Sequence, residues 1–205
     1  MKPFGPYARA SVLLVATVLN GCVVQSLNPF FTKDAVVPLA HLWDEWDRID
    51  HSDGLPASAR PWEIGKTEIT TYDGDKPGPL KVTYFRVGQN TFVDATAGDL
   101  DSDSPCGNAW WSFNIRAVHT LARIIFAKDR LEVRPLDYDW LNREIDAERV
   151  NLPRTETGND FVFTATPSEW MEFLKKHGSS TDAFPEKEAL IFTRHPQEAP
   201  TDQKE

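Results

Sequence analysis

What most constrains this chain is a succession of apolar and β-branched runs, separated by turns too short to hold a helix. Residues 80–87 read as a strand, Gly88-Gln89-Asn90 as a turn, and residues 91–97 as the returning strand. Aromatic and β-branched side chains suit a pleated, half-buried surface, and a short Gly-containing turn between two such runs predicts a hairpin. In the first run the apolar positions are Leu80, Val82 and Tyr84, then Phe85 and Val87. A one-residue change of parity moves side chains to the other face, so a bulge is expected near Tyr84. Residues 109–127 form a longer apolar run, also expected as strand. Lys128-Asp129-Arg130 turns it into residues 131–134, where Leu131 and Val133 alternate with Glu132 and Arg134. Shorter strands are expected at 41–49, 62–64, 67–72, 161–165 and 189–193. Residues 73–78, with Gly74, Pro77 and Gly78, break the run before the first hairpin.

Two helices interrupt this pattern. Residues 137–146 place Tyr138, Leu141 and Ile145 on one face, with Asp137 able to cap the first turn. Thr166, Pro167 and Glu169 spell a capping box with proline at the first helical position. Trp170, Phe173, Leu174 and His177 then share a stripe that Gly178 ends; His177 is expected to meet the last carbonyls. The fold class is therefore mainly β (α+β). An antiparallel meander curls into a barrel or half-barrel, with two short helices at one side or end. This resembles the calycin group, to which lipocalins belong, although Leu42-Trp43 stands where that family carries Gly-x-Trp.

The N-terminus carries Lys2 and Arg9 and no acid, followed by the short apolar run 10–19. That is a secretory signal in outline, and it is about half of the ~20 apolar residues a membrane span needs. Leu19-Asn20-Gly21-Cys22 closes the run and resembles the bacterial lipobox. The resemblance implies a diacylglycerol on the Cys22 thiol, cleavage before Cys22, and acylation of the new amine, as with palmitate. Val23, rather than Asp, after the cysteine implies the outer membrane, facing the periplasm. The following Cys22-Val23-Val24-x-Ser26-Leu27-x-Pro29-Phe30-x-Thr32 resembles a group of uncharacterised bacterial lipoproteins. Asp137-Tyr138-Asp139-Trp140-Leu141 and Phe163-Thr164-Ala165-Thr166-Pro167 extend the likeness. It implies a compartment and no activity. The expected organisation is a signal peptide at 1–21, a lipidated tether at 22–38, one β-rich domain at 39–195 and a disordered tail at 196–205. Phe30 and Phe31 are apolar for a tether, and dock on the domain or sit at the membrane interface.

The net charge is −9, with 31 acids against 22 Lys and Arg. This excludes nucleic acid as a natural partner, and leaves the lipid on Cys22 to hold the chain at an anionic membrane. With Cys22 lipidated, Cys106 has no partner for a disulfide, and stability must come from the core.

Chemistry is sparse. The five histidines, His41, His51, His119, His177 and His195, show no metal-ligand spacing. Asp99-x-Asp101-x-Asp103 begins like a calcium loop, but Ser104 and Trp110 stand where Gly and Glu belong. Neither a cofactor nor a metal is expected. No hydrolase elbow, P-loop or dinucleotide turn occurs. His119 reads foremost as a hydrogen-bonded structural histidine, and Asp94 as a partner for Arg86 across the hairpin. Asp44, Glu45 and Asp47 beside Trp43 and Trp46 suit a glycan cleft less well than a core Trp with solvated acids. Trp110, Trp111 and Phe113 read first as core and second as a pocket edge. The chain is expected not to be an enzyme; a deep pocket joining His119 to Asp94 would reverse that. Two functions remain: a lipoprotein whose barrel binds an apolar small ligand, or one without a ligand cavity that meets an envelope protein.

Overall fold

The computed structural model describes residues 23–49, 60–73, 75–99, 118–157 and 160–196. Eleven strands run in chain order: β1 (Gln25–Ser26), β2 (Asp44–Arg48), β3 (Trp62–Ile64), β4 (Glu68–Asp73), β5 (Lys76–Val87), β6 (Asn90–Ala97), β7 (His119–Ala127), β8 (Arg130–Pro135), β9 (Arg154–Thr157), β10 (Asp160–Phe163) and β11 (Leu190–Arg194). From β2 to β8 each strand pairs antiparallel with the next. β11 then lies between β8 and β2 and closes the ring. The result is an eight-stranded antiparallel barrel with two helices, the mainly β fold expected from the sequence. Between β8 and β11 the chain leaves the wall to form α1 (Tyr138–Asp146), the β9–β10 hairpin and α2 (Pro167–His177).

The wall separates two cores. Paired residues share a face, so the register sorts them. Trp46, Trp62, Ile64, Leu80, Val82, Tyr84, Val93, Ile124, Leu131 and Phe192 fill the interior, where Leu39 and Leu42 join them from a short 3-10 turn at Ala40–Leu42. Phe85, Val87, Phe92 and Leu121 point outward, under Trp140, Leu141, Trp170, Phe173, Leu174 and Phe184. This arrangement removes the bulge expected at Tyr84. The β5–β6 register advances without a break from Leu80↔Ala97 to Val87↔Asn90. The change of parity has another cause: Leu80, Val82 and Tyr84 face the interior, while Phe85 and Val87 face the helices. A strand buried on both faces is apolar at both parities.

β5 begins earlier than the turn residues suggest, and runs through Pro77, Gly78 and Pro79. Proline withholds a ladder donor and is tolerated at a strand edge. The β6 ladder ends at Leu80, followed only by the Gly98 amide donating to the Pro79 carbonyl at 2.8 Å, so residues 76–78 have ladder partners on β4 alone and present that edge. The hairpin turn itself is Gly88-Gln89, with Gly88 at φ 59°. The apolar run before β7 falls partly on residues 109–117, which lie outside the described residues.

Residues 23–38 are not a tether. Val23 bridges to Asp137, and β1 pairs with both β7 and β10. Val24, Ser26 and Phe30 are fully buried. β1 takes the flank of β7 that β8 vacates as it turns off into α1. The driving force is local: Phe30 stacks at 4.5 Å on Trp170, and Ser26 Oγ accepts from the Trp170 indole at 3.1 Å.

The helix signals hold. Asp137 accepts from the Trp140 amide at 2.6 Å, and Thr166 and Glu169 form the capping box. Gly178 sits in ordinary right-handed geometry, so its requirement is one of space. A Cβ there would press on the Leu174 carbonyl and lie 2.9 Å from the Phe92 ring. Gly178→Ala is expected to destabilise the fold by about 1–3 kcal/mol, as overpacking does. Urea denaturation should show a lower midpoint at unchanged slope; an unchanged midpoint would mean that the helix end yields freely.

Candidate functional site

Asp94 is the most deeply buried acid described, at 3 % exposure, and sits on the outer face of β6 opposite Thr83 and Leu121. It does not reach Arg86, which the alternation of the strand sends to the other face. Instead its Oδ1 lies 2.7 Å from His119 Nδ1, and its Oδ2 accepts the Phe30 amide at 2.9 Å. One carboxylate thus ties β6, the start of β7 and the N-terminal segment together. A charge-assisted hydrogen bond in a low-dielectric site is worth more than a neutral one.

An aspartate that orients a histidine is also half of a nucleophilic site. The third member is missing among the described residues. Ser26, the cross-strand partner of His119, is fully buried, and its Oγ already accepts from Trp170 and from the Asn28 amide. His119 keeps 22 % of its side chain exposed, but neither it nor Asp94 lines the concavities described below. The pair is a clasp, in line with the structural role expected for His119.

The acids and tryptophans of residues 43–47 are not brought together. Trp46 is fully buried inside the barrel, with its indole donating to the Leu42 carbonyl at 2.9 Å, whereas Trp43 is 38 % exposed. Asp44 ion-pairs with Arg194, whose guanidinium lies 4.8 Å over the Trp46 ring. Asp47 faces outward and holds His195 Nδ1 at 2.9 Å. Both acids fasten β11 to β2. A shallow groove of about 760 Å³ runs along this seam, lined by Asp44, Glu45, Glu63, Glu68, Thr70 and His195 among others. Its carboxylates give it an acidic floor.

His177 does not meet the last carbonyls. Its ring packs 5.1 Å from Phe173 and 5.4 Å from Trp140, leaving the buried Nε2 without a partner. Burial, with Lys176 beside it, pushes its pKa below the usual histidine value. A second concavity, of about 380 Å³, opens here, between α2 and residues 149–152. Glu132 accepts from both Arg130 and Arg134, which holds its carboxyl below the usual range despite its burial. Tyr84, inside the barrel, is pushed well above the usual phenol range by burial alone.

A third concavity, of about 300 Å³, was not anticipated. It lies at the rim of the barrel and is lined by Arg86, Gln89, Asn90, Arg123 and His41 above Leu39, Leu42 and Phe126. The sequence carried one sign of it: Arg123 interrupts an apolar strand between Ala122 and Ile124.

Asp99 is exposed and pairs with Lys81 at 2.8 Å. Asp101, Asp103, Cys22, His51, Cys106, Trp110, Trp111 and Phe113 lie outside the described residues. Among the described residues no group of three or more His, Cys, Asp or Glu side chains is placed to hold a metal ion, and no helix is long and apolar enough to cross a membrane. No protein family, curated protein or solved structure matches the chain.

Asp94→Ala is expected to cost about 2–3 kcal/mol, because it leaves the buried Phe30 amide unpaired. Amide exchange in β1 should quicken selectively; uniform exchange across the barrel would show that the clasp is not local. His177 supplies a pH dependence. A depressed folded pKa means that the unfolded chain binds the proton more readily, so stability falls as pH drops below about 6.5. His177→Phe should flatten the midpoint-against-pH curve in that window, and a curve superimposable on that of the parent would refute the assignment.

Proposed function

We propose that this protein is a lipoprotein of the bacterial cell envelope, lipid-anchored at Cys22 and held at the outer membrane facing the periplasm. We infer further that its barrel acts as a rigid surface for an envelope partner, with no enzymatic step and no apolar ligand stored inside it. The observation that carries the second inference is the packing of the interior. Trp46, Trp62, Leu131 and Phe192 are each at or below 5 % exposure and project inward side by side from the neighbouring strands β3, β2, β11 and β8, with the rings of Trp62 and Phe192 4.8 Å apart. An eight-stranded barrel has an interior that side chains can fill, or that can hold one small ligand. Four such side chains occupy the volume that a ligand would need.

The anchor rests on the Leu19-Asn20-Gly21-Cys22 motif, and the start of the folded domain gives it a consequence. Since Val23 already bridges to Asp137 and Val24 is buried, a lipid on Cys22 joins the domain with no slack. The barrel would then stand directly on the membrane in one orientation. Multiple acyl chains, each contributing ~0.8 kcal/mol per buried CH₂, would hold it firmly without a basic patch. The competing reading, a barrel that carries an apolar ligand, draws on the same topology and on the calycin-like order of strands. It requires the interior side chains to move aside.

Two measurements separate these readings. Labelled glycerol and palmitate should enter the parent chain and not a Cys22→Ala variant; equal labelling of both would remove the anchor. An uncharged apolar probe should leave the tryptophan fluorescence of the extracted protein unchanged. Saturable one-to-one quenching would instead establish the carrier and overturn the filled scaffold.

A further inference from the structure

The rim concavity is built by a mismatch of strand lengths. β6 begins at Asn90, and its last pair with β7 is Thr91↔Ile124, whereas β7 continues to Ala127. The wall is therefore notched beside residues 125–127, next to the Gly88-Gln89 turn. Arg86 belongs to the inward-facing set of β5 and Arg123 to the outward-facing set of β7, yet both line the notch, where the start of β6 lies between them, Thr91 pairing with Arg86 and Phe92 with Arg123.

In a chain with an excess of acids, no acidic residue among those described lines this concavity. Neither Arg86 nor Arg123 has a carboxylate within ion-pair distance among the described residues. Arg130, Arg134, Arg149, Arg154 and Arg194 all do. Arg123 is the more costly of the two. It is partly buried and stands directly opposite Arg134 in the β7–β8 ladder. Like charges directly opposite each other destabilise a sheet, and a buried charge without a counter-charge costs more. Glu132 answers Arg134 at 2.6 Å, and among the described residues nothing comparable answers Arg123. Burial, with Arg134 opposite, lowers the pKa of Arg123, although a guanidinium stays charged at any physiological pH.

We propose that this notch is a binding site for a phosphate-type oxyanion, held between the guanidinium groups of Arg86 and Arg123. Each planar fork offers parallel donors matched to a pair of oxygens, and two forks suit the three oxygens and double charge of a phosphomonoester better than a single carboxylate. Gln89 adds an amide donor at the rim. Leu39, Leu42 and Phe126 below the arginines give an apolar floor, so the anion is either free phosphate or the head of an amphiphile whose first carbons rest there. The site stands on the geometry of the rim, and does not depend on the anchor at Cys22 or on the filled interior.

The test uses the full chain and follows the arginine Nε–Hε signals by NMR at constant ionic strength. Inorganic phosphate should shift the Arg86 and Arg123 signals together and saturably. Arg86→Gln and Arg123→Gln should each weaken binding by about tenfold or more, equivalent to about 1.4 kcal/mol. Arg123→Gln also relieves the repulsion with Arg134, so its thermal midpoint should hold or rise, which separates lost binding from lost folding. Short alkyl phosphates form the second arm. Affinity that climbs with chain length assigns the site to an amphiphile head group, and affinity equal to that of inorganic phosphate assigns it to the free anion. Absence of saturation for both ligand classes, or shifts that survive in both variants, would overturn the site.

Discussion

The structure depends on one closure. β2 to β8 form a continuous antiparallel ribbon that would present two open edges, and an open edge is a liability in any β protein. β11 satisfies both at once, pairing with β8 from Leu190↔Val133 and with β2 from Phe192↔Arg48. Everything between β8 and β11 is consequently an excursion that must return to the same gap. The seam is fastened on both faces of the wall, by Asp44 with Arg194 inside and by Asp47 with His195 outside. Phe192 adds its ring to Trp62 over the inner face of β2. Asp44 and Asp47, beside Trp43 and Trp46, are consumed by this task.

Closure also decides how the excursion packs. The helices cannot enter a filled barrel, so they cover its outer wall at Phe85, Phe92 and Leu121. The N-terminal segment is trapped beneath them, with Phe30 against Trp170 and its amide on Asp94. A buried carboxylate is tolerated only when its lone pairs are met, and here a histidine and a backbone amide from two distant stretches meet them. The same closure leaves the β6–β7 seam uneven, because β6 is one residue shorter than β7. The rim notch with its two unanswered arginines follows from that offset.

Local signals were legible wherever the physics is local. The Gly88-Gln89 turn, the Asp137 cap, the Thr166–Glu169 box and the strand at Trp62–Ile64 all depend on residues within a few positions of one another. The false bulge at Tyr84 and the false tether at 23–38 have a common origin. Each was an apolar stretch without an evident partner, and the partner was a helix or strand more than fifty residues away. Asp94 and His119 are only 25 residues apart, yet they belong to different strands, and the choice of His119 over Arg86 depends on which face of β6 points outward.

By itself the sequence determined that the chain would be an antiparallel β meander with two capped helices, because alternation, turn residues and capping boxes act over a few residues at most. It also singled out Cys22 as the residue on which an anchor would turn. Only the tertiary structure decided that the ribbon closes, which strand closes it, which side chains face its interior, and that the N-terminal segment belongs to the domain. Those outcomes rest on which faces meet across the whole chain, and burial of a face is a property of its neighbours rather than of its own residues.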